Sequence, residues 1–157
     1  MTDSNQTTRS VKHATFTIDR TYAATPARVF AALSTKEAKG KWFGGPPEWT
    51  RSNWEMDFRV GGREVSAGGP AGGPEHIFVA QYLEIVENAR IIYAYDLFVG
   101  ETKLSVSLAT FELAPAGKGK GTRLTLTEHG AFLDGHEDPA LREHGTRWLL
   151  DKLGQTL

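Results

Sequence analysis

Residues 122–157 read TRLTLTEHGAFLDGHEDPALREHGTRWLLDKLGQTL, and a change of period inside this stretch decides the fold. From Thr122 to His129, Leu124 and Leu126 alternate with Arg123, Thr125 and Thr127, the period-two pattern of a strand with one buried face. Past Gly135 the period lengthens. Asp138 can cap a helix, and Pro139 stands at its first position, where a missing N–H costs nothing. Leu141, Trp148, Leu149 and Leu153 then fall on one broad face at about 100° per residue. The spacing predicts a strand followed by one long amphipathic helix running nearly to Leu157.

Upstream, apolar and β-branched runs alternate with glycine clusters and show no helical period. They predict consecutive strands at Trp54 to Val60, Arg63 to Ala67, His76 to Ile85, Arg90 to Val99 and Lys103 to Leu113. In the last run Leu104, Val106 and Leu108 share one parity, while Ala109, Phe111 and Leu113 share the other, which predicts a bulge near Leu108. A turn over Gly117 to Gly121 joins it to the next strand. Nearer the N-terminus, Phe16, Ile18 and Tyr22 alternate with threonines as a first strand. Thr25-Pro26 opens a short helix carrying Val29, Phe30 and Leu33, and the Ser34/Glu37 spacing predicts a second one toward Trp42 and Phe43, stopped by Gly44-Gly45-Pro46-Pro47.

This order predicts an α+β domain over residues 14–157, preceded by a disordered or extended tail over 1–13. A curled antiparallel sheet of about six or seven strands would wrap a long C-terminal helix, with two short helices after the first strand. One helix leaves part of such a sheet uncovered, so a ligand-sized gap between helix and sheet is expected.

Composition narrows the function classes. The chain has 157 residues, 18 Lys+Arg against 19 Asp+Glu, a net charge of -1 and no cysteine. One domain of this size supports its own core. Thiolate chemistry and disulfides are excluded, and the charge balance argues against a binder that neutralises many phosphates. No run approaches the roughly 20 apolar residues of a bilayer span, and Met1 to Ser10 lacks the apolar stretch of a signal peptide. A cytoplasmic location, no nucleic acid and no membrane insertion are expected, with a homodimer as a prior only.

Four segments together resemble a known family: residues 56–64 (MDFRVGGRE), the Gly72-Gly73-Pro74-Glu75 turn, residues 124–135 (LTLTEHGAFLDG) and residues 142–150 (REHGTRWLL). In this order they are similar to the START-like (SRPBCC) superfamily, and within it to the single-domain branch named for activators of heat-shock-protein ATPase. The resemblance spans about Ala14 to Leu157. It implies a helix-grip fold, and it brings hydrophobic-ligand binding, a chaperone partner and a stress-response role into view. It supplies no shared catalytic set.

The candidate ligand-binding residues follow from parity and position. Tyr93 and Tyr95 share a face with Ile91 and Leu97, and Gln81 shares one with Val79 and Leu83. Such polar tips can orient a ligand, or bond to nearby backbone. Glu128 has the parity of Leu124 and Leu126, which points its carboxylate inward, unless it lies in water at a frayed strand end. Gly145 lies on the predicted apolar face with Leu141, Trp148 and Leu149, giving either close packing on the sheet or room for a ligand. Trp148 is expected to plug the core and serve as a pocket wall. Trp42 and Phe43, with Trp49 and Trp54, either line the mouth of the gap or seal one end of the sheet. Arg63 could hold an acidic head group or lie solvated on an edge strand.

Other chemistries lack their spacing. From His136 and Glu137 the position a zinc helix would need is Ala140; Lys118 and Lys120 are each followed by glycine, so no phosphate loop forms. No metal, cofactor or catalytic residue is therefore expected. The leading expectation is binding of a small hydrophobic or amphipathic molecule. The alternatives are a cofactor-free cyclase- or dehydratase-type enzyme in the same cavity, or a chaperone- or client-binding module.

Overall fold

Strand alternation at the C-terminal end of the sheet finds partners on both sides. Residues Gly121–Leu133 (β7) pair antiparallel with the first strand, Val11–Tyr22 (β1), and with Thr102–Ala116 (β6). Beyond β6 lie Arg90–Val99 (β5), His76–Val86 (β4), Arg63–Gly69 (β3) and Thr50–Met56 (β2), giving one seven-stranded antiparallel sheet in the order β1-β7-β6-β5-β4-β3-β2. The sheet curls without closing, and Pro139–Gln155 (α3) lies on its concave side, while Pro26–Ser34 (α1) and Lys36–Lys39 (α2) follow β1. This is the expected α+β helix-grip fold. The computed structural model describes residues 8–118 and 120–157.

Both capping prolines serve as expected. Thr25 accepts the Arg28 amide ahead of α1, and Asp138 Oδ1 accepts the Ala140 amide at 2.9 Å ahead of α3. The second short helix differs, since its cap is Thr35, accepting from Ala38, rather than Ser34. Of the tail expected to be disordered or extended, Val11, Lys12 and His13 are extended as the first residues of β1. Residues 1–7 of the expected tail, and Gly119 of the Gly117 to Gly121 turn, lie outside the described residues.

The bulges fall elsewhere than predicted. Register skips Ser52 in β2, Leu83 in β4 and Leu104 in β6, while β6 alternates without a break at Leu108. Ser105, Ser107, Ala109, Phe111 and Leu113 therefore all face inward, and Val106 and Leu108 face out. β2 begins at Thr50 and ends at Met56, and residues 57–62 form a turn in which the Gly62 amide bonds to the Arg59 carbonyl. A Cβ on Gly62 would meet the Asp57 carbonyl at 2.1 Å, so this turn requires glycine.

The core lies between the concave face and the helices, with Ile18, Val29, Tyr82, Ala109, Leu124, Leu126, Leu150 and Leu153 almost wholly buried. α3 is held at both ends. Tyr22 donates to the Leu150 carbonyl at 2.7 Å, and Arg142 reaches Ser105 on β6 at 2.8 Å. These contacts set the helix's rotation, which differs from the prediction. Its buried residues are Arg142, Leu150 and Leu153, whereas Leu141 is 67% exposed and Trp148 42% exposed.

Candidate functional site

Antiparallel register lines the concave face up in rows. One row runs across all seven strands as Met56, Glu64, Ala80, Tyr95, Ser107, Gly130 and Ala14. The next is Tyr82, Tyr93, Ala109, Glu128 and Phe16. Small residues thus floor the middle of the sheet, flanked by tyrosines and carboxylates. At Gly130 an added Cβ would stand 3.1 Å from Ser107 Oγ and 2.6 Å from the Phe132 ring, so glycine lets that ring fold back over the floor.

Two polar clusters sit on this face. In the first, Lys39 from α2 donates to Glu64 Oε1 at 2.7 Å, Tyr82 donates to the same oxygen, and Trp54 Nε1 donates to Glu64 Oε2 at 3.0 Å. The ammonium also lies 4.4 Å from the centre of the Phe43 ring. Burial pulls the Lys39 pKa down, and Glu64 opposes that shift. Burial, reinforced by Glu64, pushes the Tyr82 hydroxyl well above its ordinary value.

In the second cluster, Glu137 and Arg142 form a two-toothed ion pair at 2.6 and 2.8 Å. Arg142 also donates to Ser105 Oγ at 2.8 Å and to the Tyr95 hydroxyl at 3.0 Å, and Tyr95 in turn donates to Glu128 Oε1 at 2.6 Å. Burial raises the pKa of Glu128, and the Tyr95 hydrogen bond and the Arg142 charge offset it only in part. Tyr95 is pushed well up by burial and then by Glu128. Tyr93 lies between the clusters, and burial raises its hydroxyl, with Glu128 adding to the shift.

The predicted residues separate into two groups. Tyr93, Tyr95 and Glu128 come together on the concave face, and the Glu128 carboxylate is buried rather than frayed into water. Trp42 is buried and donates to the Ala32 carbonyl at 2.8 Å, sealing the helices to the sheet. Phe43 is half-buried edge-on to Phe78, and Leu149 is half-buried against the core. Gln81 lies on the convex face, because Phe78, Ala80 and Tyr82 take the inward parity of β4. Leu141, Gly145 and Trp148 share the outer side of α3; a Cβ on Gly145 would meet nothing within 4 Å, so neither close packing nor core plugging occurs there. Arg63 is exposed, as the parity that buries Glu64 requires.

The sequence reading missed Lys39, Glu64, Ser105, Ser107 and Arg142. Unbroken alternation through β6 would have found the two serines. Nothing local marks the others, whose burial depends on partners distant in the chain. Of two surface hollows, one of about 330 Å³ beside Arg90 and Arg123 contains none of the predicted residues, and one of about 410 Å³ beside Asp57 contains only Arg63 among them.

The fold and these clusters can be set beside known proteins. A structure from Rhizobium leguminosarum, described as a putative uncharacterized protein, is 43% identical, with 96% of this chain and 97% of that chain covered and a TM-score of 0.89. A Rhizobium loti protein is 45% identical over 94% of this chain and 99% of its own, with a TM-score of 0.87. A Chromobacterium violaceum protein is 28% identical over 90% and 94%, with a TM-score of 0.75. No curated protein matches. The family model described as "Activator of Hsp90 ATPase homolog 1-like protein" matches residues 23–157, from the end of β1 through α3, and the chain belongs to that family.

Proposed function

We propose that the chain binds a small, mainly apolar molecule between α3 and the concave face of the sheet. The supporting observation is incomplete cover: Phe16, Phe43, Met56, Phe58, Leu97 and Leu149 pack on the core yet each stays only partly buried. Apolar surface beside a few convergent polar groups is what ligand sites generally present. Binding of naphthalene, followed through backbone amide shifts in NMR, tests this. Shifts are expected at Tyr93, Tyr95, Thr146 and Leu149, and Leu149→Trp should abolish them by filling the space. Shifts confined to the convex residues Val106 and Leu108, or none, would overturn the reading.

A second reading, proton transfer within the same space, draws on the Arg142–Tyr95–Glu128 chain of hydrogen bonds. A carboxyl whose pKa is raised by burial can serve as a general acid. This reading predicts that a bound substrate turns over and that Glu128→Gln abolishes turnover while leaving binding intact.

A further inference from the structure

Three polar atoms on the concave face have no hydrogen-bond partner among the described residues. Ser107 Oγ is buried without a hydrogen bond. Glu128, only 5% exposed, uses one carboxyl oxygen for Tyr95, and no described residue bonds the other. Tyr93 is 8% exposed, and its hydroxyl has no bond to a described residue, whereas Tyr22, Tyr82 and Tyr95 each have one. Tyr93 and Glu128 flank the small side chain of Ala109 in one row, and Ser107 lies two residues along the same strand and face as Ala109. Buried polar groups are normally satisfied, so the buried orphan Ser107 Oγ, with two unpartnered polar atoms on neighbouring positions of the same face, points to an occupant.

The charges define that occupant. Lys39 is taken by Glu64, and the Arg142 guanidinium is held by both oxygens of Glu137. Glu128 therefore has no cation of its own, and an anion placed beside it would be repelled as well as desolvated. An ammonium could pair with Glu128 but could not accept from Tyr93. A hydroxyl both donates and accepts, which matches one carboxyl oxygen beside two hydroxyl groups.

We propose that the ligand bound between α3 and the sheet carries an uncharged hydroxyl at its inner end, seated among Glu128, Tyr93 and Ser107. The inference rests on the ligand-binding reading above.

Calorimetric titration of the intact chain with naphthalene, 2-naphthol, 2-naphthoate and 2-naphthylmethylammonium separates the two. 2-Naphthol should bind about tenfold tighter than each of the others, the difference one or two buried hydrogen bonds supply. Tyr93→Phe and Ser107→Ala should each weaken 2-naphthol several-fold more than they weaken naphthalene, with circular dichroism reporting that the variants are folded. Should either misfold, Glu128→Gln, nearly isosteric but uncharged, must narrow the preference for 2-naphthol over 2-naphthoate, because it removes the repulsion of the anion. Equal or tighter binding of 2-naphthoate or the ammonium, or a preference untouched by the variants, overturns the hydroxyl seat. Binding of naphthalene with no gain for 2-naphthol removes this inference alone, and failure of all four probes removes the binding reading with it.

Discussion

Glu64 has no exposed surface, yet it holds Lys39, Tyr82 and Trp54, and so ties α2, β2, β3 and β4 together through one carboxylate. Its value lies in being fully partnered. Removing one member of a buried pair leaves a charge that neither water nor protein compensates, and this costs about 3–5 kcal/mol. Lys39→Met should therefore destabilise the protein by about that much, read from urea midpoints. Lys39→Met combined with Glu64→Gln should cost clearly less than Lys39→Met alone, because the amide carries no charge and still accepts from Tyr82 or Trp54. A double variant as damaged as the sum of the two single variants would show that the ion pair carries no coupling. None of this was legible in the sequence. Lysine within Lys36–Lys39 reads as a solvated helix residue, and only a carboxylate 25 positions away explains its burial.

The helix α3 shows how an element can be found correctly and still be turned wrongly. Its start, length and place in the fold follow from Asp138, Pro139 and the leucine spacing. Its rotation does not, because the burial of Arg142 reads as a polar position when partners are unseen. Once Glu137, Ser105 and Tyr95 hold that guanidinium beneath the helix, Leu150 and Leu153 turn inward and Leu141 and Trp148 turn out. Leu150→Ala should cost about 2–5 kcal/mol, as large-to-small changes in a packed core do. Leu141→Ala should stay within about 0.5 kcal/mol, as surface changes do. Equal costs in urea denaturation would contradict the observed rotation. Strand readings fared by the same logic: simple alternation in β5 and β7 placed Tyr93, Tyr95 and Glu128 inward, whereas the parities of β4 and β6 were misassigned, sending Gln81 and the inner serines to the wrong faces.

At the scale of the whole molecule, carboxylates with opposite shifts act on the same sheet. Asp19 accepts from Thr125 and lies near Arg123, and Asp134 accepts the Ser10 amide and pairs with Arg9; these contacts lower both pKa values. A lowered value stabilises the fold above the ordinary 3.8 and is lost as pH falls through the folded value. Glu128 has the opposite sign. Burial raises its pKa, so its contribution is full below the ordinary 4.5 and disappears as pH rises through the folded value. The groups around it do not reverse this: Tyr93 and Tyr95 stay protonated, Glu137 adds negative charge, and Arg142 is shared with Glu137. Glu128→Gln removes the ionisation while keeping a similar shape and an acceptor for Tyr95. Its stability relative to the parent should thus rise with pH from about 4.5 upward and level off once Glu128 is ionised in the folded parent. Asp134→Asn should behave in reverse, costing stability at neutral pH and converging on the parent as pH falls below 3.8. Urea midpoints of the three proteins between pH 3 and pH 8 read both slopes, and a Glu128→Gln curve parallel to the parent's would mean that the carboxyl on the concave face ionises as freely as one in water.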